Sequence, residues 1–160
     1  MNDDSILLSL PEISDKNIDE IINEAGKTQP YLTAYILTYE EDDLDSTEQA
    51  ILFDLYILIW FLRTKSELPP PLVSTNVINE KQQNNSYLSK YLENESNEDI
   101  HSMIQILIEN YKSFELYELI SRILHDEFLR ERVRDKNYGL LLGGLKTVID
   151  CLEDEPKTDL

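Results

Sequence analysis

The chain has 160 residues, of which 41% are hydrophobic and 9% aromatic, so its composition is that of a folded protein with a buried core and excludes a disordered chain. With 32 acidic and 14 basic residues, the formal net charge is −18, which disfavours direct binding to nucleic acid or to an anionic membrane surface. The single cysteine, Cys151, excludes an intrachain disulfide and is typical of a reducing compartment, so we expect a cytoplasmic protein.

The apolar residues recur at helical spacing along the whole chain and do not alternate as in strands, which predicts an all-α fold. Near the N-terminus, Asn17 and Glu20 have the spacing of a capping box, which predicts the start of a first helix. Gly26 is expected to end that helix in the left-handed conformation. Pro30 suits the first turn of a second helix, because its missing N–H would have no helical partner there.

The most acidic stretch of the chain, residues 40–45, is predicted to be a loop. It lies in the part that carries most of the negative charge, since residues 1–60 contain 14 acids and two bases. Ser46 with Gln49 forms the next capping-box pattern and predicts a third helix over about residues 47–64. This helix is apolar on nearly all sides, so we expect it at the centre of the bundle. Its apolar stretch is shorter than the roughly 20 residues of a membrane span.

The second half of the chain adds further helices. The prolines at 69–71 stop any helix, and residues 74–94 are compatible with a loop or with the beginning of another helix. Helices are predicted to begin near Ser96 and near Ser113, and a last one carries the apolar residues between Tyr138 and Leu152. Residues 154–160 are expected to be a polar tail. The sequence therefore predicts a single-domain bundle of about six or seven helices over residues 1–160.

The two histidines are the first candidates for chemistry. His101 lies in the string HSMIQILI, and His125 precedes Asp126 in the string RILHDEF; imidazole and carboxylate together suit a divalent metal. These strings resemble the helical HD-type phosphohydrolases, which hold metal with a histidine, a His-Asp pair and a distant aspartate. The resemblance covers about residues 101–126 and implies a metal site at His101, His125 and Asp126. The chain departs from the family directly after the pair, where Glu127-Phe128 stand in place of small and basic residues.

Two other patterns in the sequence have some features of ligand sites. The acidic run at 40–45 lacks the central glycine that an EF-hand loop needs for its sharp turn. Gly139, Gly143 and Gly144 stand near Lys146, but Leu145 intervenes where a phosphate-binding loop requires the lysine directly after the last glycine. Small residues at this spacing favour close packing of another helix. We therefore predict no catalytic residue, no metal and no cofactor.

Three tyrosines recur at a spacing of four residues just before the acidic run. Tyrosine is enriched in protein interfaces, and an aromatic stripe beside a negative loop is the best candidate for a binding surface. The alternative is that the tyrosines line the edge of the core. The predicted partner-binding residues are Tyr31, Tyr35, Tyr39, Glu41, Asp42, Asp43 and Asp45.

Four of the five arginines cluster in one short segment: Arg122, Arg130, Arg132 and Arg134. Two interpretations are open. They can form a solvated helix face with internal pairs such as Glu118–Arg122, or they can dock against the acidic N-terminal third of the same chain or of a second copy.

Together these observations favour a non-catalytic cytoplasmic protein-interaction module of acidic character, of the immunity, inhibitor or adaptor type, that binds a basic protein partner. Salt should weaken that association. The alternative is a degenerate HD-like metal-dependent phosphohydrolase. The sequence leaves a homo-oligomer open.

Overall fold

A computed structural model describes residues 6–9, 12–66, 69–93 and 113–153. It contains a short 3-10 helix, Ile6–Ser9, and six α-helices, and the described residues include no strand. The helices are α1 (Ile18–Thr28), α2 (Pro30–Thr38), α3 (Ser46–Ser66), α4 (Thr75–Glu93), α5 (Phe114–Leu129) and α6 (Asp135–Glu153). The predicted all-α bundle is confirmed. The helix predicted to begin near Ser96, and the tail at 154–160, lie outside the described residues.

Helix α3 is buried on every side over part of its length. All residues from 55 to 60 are buried, and because successive helical residues are about 100° apart, such a run covers the full circumference. The helix packs against the 3-10 helix and against α1, α2, α5 and α6. Its place at the centre of the bundle stays a prediction, because the segment 94–112 is outside the described residues. Within the described residues, no helix has the length and apolar character to cross a membrane.

The two ends of α1 differ from the prediction. Asn17 precedes the helix, but its side chain makes no capping bond; it accepts from the Ser14 N–H at 2.7 Å and donates to the Glu12 carbonyl at 2.8 Å. Gly26 does not end the helix, which continues to Thr28. The Asn17 side chain is occupied by local bonds to the segment before the helix, whereas the end of α1 is affected by tertiary contacts, since the residue after Thr28, Gln29, is held from outside the helix.

Gln29 separates α1 from α2 and anchors their junction. Its side chain is fully buried, donates to the Pro71 carbonyl and accepts from the Val73 N–H, each at 2.9 Å. These two bonds tie the α1–α2 junction to the segment that leads into α4. Pro30 then opens α2 as predicted. The segment after the prolines is helical, so α4 resolves the question left open for residues 74–94 in favour of a helix.

The arginine cluster combines both predicted arrangements. Arg122 pairs with Glu118 at 3.2 Å on the surface of α5, and Arg132 pairs with the buried Glu127 at 3.0 Å. Arg134, which precedes α6, reaches the N-terminal third of the same chain. The last of these contacts shapes the candidate site.

Candidate functional site

The acidic segment between α2 and α3 is an ordered turn; we call residues 40–45 the acidic turn. Glu40 follows the end of α2 in the left-handed conformation, with φ of 45°. Its carbonyl accepts from the N–H groups of Asp43 and Leu44, at 2.9 and 3.0 Å. The Leu44 side chain is buried and fixes the turn to the core, whereas the other five residues are exposed.

The far end of the turn carries a capping box that starts one residue before the predicted one. Asp45 Oδ1 accepts from the Glu48 N–H at 2.8 Å, and Glu48 Oε1 accepts from the Asp45 N–H at 2.9 Å. Ser46, the predicted cap, is instead the first residue of α3. The difference follows from long-range hydrogen bonds, because Glu48 also accepts from Arg134 and Asn137 at the start of α6.

Glu48 is a fully buried carboxylate that accepts hydrogen bonds from three further groups besides the Asp45 N–H. Arg134 donates from its guanidinium at 2.7 Å and from its backbone N–H at 2.9 Å, and Asn137 Nδ2 donates at 3.0 Å. Burial alone would raise the pKa of Glu48, but the bonds from Arg134, Asp45 and Asn137 outweigh it and lower the pKa to about 2. Arg134 and Asn137 also donate to the Asp43 carbonyl, at 2.8 and 3.0 Å. The acidic turn is therefore clamped by α6.

The three predicted tyrosines differ in their surroundings. Tyr31 is 50% exposed, whereas Tyr35 and Tyr39 are half-buried and pack against the core with their ring centroids 5.4 Å apart. Leu37, which the sequence analysis did not single out, is 61% exposed on the same helix. The outward face of α2 is thus uncharged and consists of Tyr31, Ala34, Leu37 and Thr38.

Tyr39 occupies a notch in α6. Its hydroxyl donates to the Leu140 carbonyl at 2.7 Å, and its ring lies where a Cβ on Gly144 would stand, only 2.9 Å from that position. Burial, with Glu40 nearby, raises the pKa of Tyr39 to about 12, so the phenol is neutral at pH 7. The predicted packing role of the glycines holds at Gly143 and Gly144, but at Gly139 a Cβ would meet open space.

A polar groove of about 170 Å³ lies behind α2, between α2, α4 and α6. Tyr35, Tyr39 and Glu40 line it from the α2 side, and Gly139 and Gly143 line it from α6, where they contribute no side chain. The Tyr35 hydroxyl is buried here. It lies beside Thr147, whose hydroxyl donates to the Gly143 carbonyl, and it makes no well-formed hydrogen bond within the described residues.

A polar network adjoins the groove at Asn85 and Thr147. Asn85 Nδ2 donates to Thr147 at 3.0 Å and to Asp150 at 3.1 Å, and Lys146 donates to Asn85 and to Asp150, each at 2.9 Å. The Lys146 charge is therefore balanced by Asp150. Among the described residues that line the groove, Glu40 is the charged one.

The candidate metal residues are not seen together. His125 is exposed and packs against the rings of Phe128 and Tyr138, with centroids 6.2 and 6.3 Å away, and Asp126 is exposed on α5. His101 lies outside the described residues. Within the described ranges, no group of three histidine, cysteine or acidic side chains is placed to hold a metal ion.

Of the seven predicted partner-binding residues, five are exposed: Tyr31, Glu41, Asp42, Asp43 and Asp45. Asp45 is also a helix cap that pairs with Arg134 at 3.5 Å. Sequence reasoning missed Glu48 and Asn137, whereas Arg134 belongs to the arginine cluster for which docking on the acidic N-terminal third was one of the two predicted arrangements. The Asp45–Glu48 spacing is the signal that could have pointed to Glu48, since it fits a capping box as well as Ser46–Gln49 does. Comparison with protein-family models, with curated proteins and with solved structures gives no match to this chain.

Proposed function

We propose that this chain is a non-catalytic cytoplasmic interaction module, of the immunity, inhibitor or adaptor type, that binds a basic protein partner. The partner docks on the outward face of α2 and on the acidic turn, which together we call the docking surface. One observation carries the proposal: Tyr31 and Leu37 are uncovered on an uncharged helix face that leads directly into exposed carboxylates.

The outward face of α2 has the composition of an interface centre. None of the nine residues of α2 is charged, although the helix lies at the surface of a chain with a net charge of −18. Tyrosine and leucine supply contact area, and charged residues are depleted in the centres of protein interfaces. The small Ala34 between them leaves room for a partner side chain.

The acidic turn supplies a charged rim to that centre. Arg134 engages Asp45 and Glu48, while the side chains of Glu40, Glu41, Asp42 and Asp43 remain exposed. The clamp on the Asp43 carbonyl holds these charges in one arrangement before a partner arrives, which reduces the entropic cost of binding. A fixed negative rim selects a basic partner and speeds its association at low salt.

The test is affinity capture with the full chain from the cells that produce it, followed by mass spectrometry. Tyr31→Ala/Leu37→Ala removes the apolar centre, and Glu41→Gln/Asp42→Asn removes two charges of the rim. We expect each double variant to weaken capture of the same basic protein by at least about tenfold. Glu115→Gln/Asp126→Asn is the control, because it removes two exposed charges from α5.

Capture should also fall as salt rises, since a charged rim is screened over about 8 Å at physiological ionic strength. Recovery of the same proteins by the wild-type chain and by both docking-surface variants would refute the proposal. Recovery that is independent of salt would refute its electrostatic part.

A further inference from the structure

We propose that the groove between α2, α4 and α6 is a binding pocket for an arginine side chain of the basic partner. This inference rests on the proposed function for the source of the arginine. The groove adjoins the docking surface through Glu40, which belongs both to the acidic turn and to the groove wall. A partner seated on the turn can therefore place one side chain into the groove.

The groove has the charge and the acceptors that a guanidinium requires. Glu40 brings a carboxylate, and no basic side chain is among the described residues that line the groove. The two oxygens of a carboxylate can accept two parallel N–H bonds from a guanidinium. An arginine offers five donors in a plane and no acceptor, which matches this carboxylate.

The shape also fits. The Tyr35 and Tyr39 rings form one wall, with an angle of 58° between them, and a guanidinium gains energy against such aromatic faces. Gly139 and Gly143 also line the groove; a Cβ at Gly139 would meet open space, and one at Gly143 would lie 3.8 Å from the Tyr39 hydroxyl. A cavity of about 150 Å³ can hold a benzene-sized group, so about 170 Å³ suffices for a guanidinium and part of its stem.

The binding experiment is a nuclear magnetic resonance titration of the full chain with N-acetyl-arginine methylamide. We expect saturable shifts at the Gly139 and Gly143 amides, with a dissociation constant on the order of millimolar, as befits so small a ligand. The citrulline analogue, which has nearly the same shape without the charge, should bind at least about tenfold more weakly. The lysine analogue should also be weaker; binding equal to that of arginine would overturn the assignment.

Two sets of variants test the site without harming the fold. Gly139→Ala/Gly143→Ala, the groove-filling variant, adds two methyl groups to the groove wall, and Glu40→Gln removes the charge of the carboxylate while keeping its shape. Each should weaken the arginine probe by about tenfold. Gly26→Ala is the matched control, since its added methyl in α1 also meets open space but lies away from the groove. If the groove-filling variant binds the probe as the wild type does, the inference is wrong.

The same variants separate the inference from the proposed function. If the groove-filling variant captures the partner as well as the wild type while Tyr31→Ala/Leu37→Ala does not, the result supports the docking surface and refutes the arginine pocket. If the arginine probe binds the groove but capture does not depend on the docking surface, the result supports the pocket and refutes the proposed function.

Discussion

Gly139, Gly143 and Gly144 all lie in α6, yet a methyl group added to each would meet different surroundings. At Gly139 it would stand in open space, and at Gly143 it would make an ordinary contact of 3.8 Å with the Tyr39 hydroxyl. At Gly144 it would lie 2.9 Å from the Tyr39 ring, which cannot move away easily because its hydroxyl is bonded to Leu140. The position of the Tyr39 side chain therefore makes glycine necessary at position 144 and not at positions 139 and 143.

We predict opposite effects on stability at these positions. Gly139→Ala and Gly143→Ala should each raise the free energy of unfolding by about 0.5–1 kcal/mol, because alanine loses less backbone entropy in a helix. Gly144→Ala should lower it by about 1–3 kcal/mol through overpacking. Urea denaturation followed by circular dichroism measures the stability of all three variants. A Gly144→Ala protein as stable as the Gly143→Ala protein would show that the Tyr39 ring does not require glycine at position 144.

A second prediction at the residue scale concerns two tyrosine hydroxyls. The Tyr56 hydroxyl pairs with the Thr33 hydroxyl at 2.7 Å, whereas the Tyr35 hydroxyl is buried without a well-formed bond. Tyr56→Phe should cost about 1 kcal/mol, because it also leaves Thr33 without its partner. Tyr35→Phe should be neutral or slightly stabilising. Equal losses from both changes, measured in the same urea series, would show that the Tyr35 hydroxyl is satisfied.

At the scale of elements, the ends of helices show what sequence patterns could and could not decide. Asp45–Glu48 and Ser46–Gln49 are overlapping capping boxes, and nothing local distinguishes them. Arg134 and Asn137 decide in favour of Glu48, and they lie far along the chain. The end of α1 has the same explanation, because Gln29 makes buried bonds to the segment before α4 and the helix ends at Thr28, two residues after Gly26.

The cap at the start of α3 predicts a dependence of stability on pH. Glu48 has its pKa lowered from 4.5 to about 2, so the unfolded chain takes up this proton first as the solution is acidified. Its contribution is complete above pH 4.5 and is lost as the pH falls towards 2, with a total on the order of 3 kcal/mol. Glu48→Gln should remove this part of the acid sensitivity and destabilise the protein at pH 7.

Free energies of unfolding measured by urea from pH 7 down to pH 3 test this prediction. The control is Glu41→Gln, which changes a carboxylate of the same turn that is exposed to solvent. A Glu48→Gln protein with the acid sensitivity of the wild type would show that the buried carboxylate does not have the lowered pKa.

For α2, the spacing of the tyrosines could be predicted but their burial could not. The four-residue interval does place Tyr31, Tyr35 and Tyr39 in one row. The row drifts around the helix, so Tyr31 reaches solvent while Tyr39 meets α6. That orientation depends on Gly143 and Gly144, about a hundred residues away, and no local pattern carries this information. Leu37 was missed for the same reason, since an exposed leucine is recognised only once the buried side is known.

At the scale of the whole molecule, the charge should make salt act in two directions. Repulsion among the charges of a chain at −18 opposes the compact state, and salt screens it. As sodium chloride increases from about 0.01 to 0.15 M, we expect the melting temperature to rise, because screening increases the free energy of unfolding. Each 1 kcal/mol of added stability should raise the melting temperature by about 2–4 °C for a chain of this size. Over the same range, capture of the basic partner should weaken.

Differential scanning fluorimetry and the capture assay can be run in the same buffers. Choline chloride in place of sodium chloride controls for specific binding of sodium to the acidic turn. A melting temperature that falls with either salt would mean that favourable ion pairs, rather than repulsion, dominate the electrostatics of the fold.

The class of the fold could be predicted because apolar spacing is a local property that every helix displays on its own. The clamp on the acidic turn could be predicted only in part, because the arginine cluster indicated docking on the acidic N-terminal third as one of two arrangements. The Asn137 contact and the groove could not be predicted, because Asn137 and Asn85 are of a polar type that is equally compatible with solvent. A sequence shows that such residues are present, and only the packed structure shows where they lie.

The bonds from α6 to the acidic turn have a consequence for synthesis. A ribosome makes the turn before it makes Arg134, Asn137 and Leu140, so a nascent chain displays unclamped carboxylates until these residues have emerged. The turn acquires its final form only after α6 has emerged. The proposed binding to the clamped turn therefore requires a chain that includes α6, and a chain truncated before Arg134 would carry the acidic residues without the bonds that hold them in place.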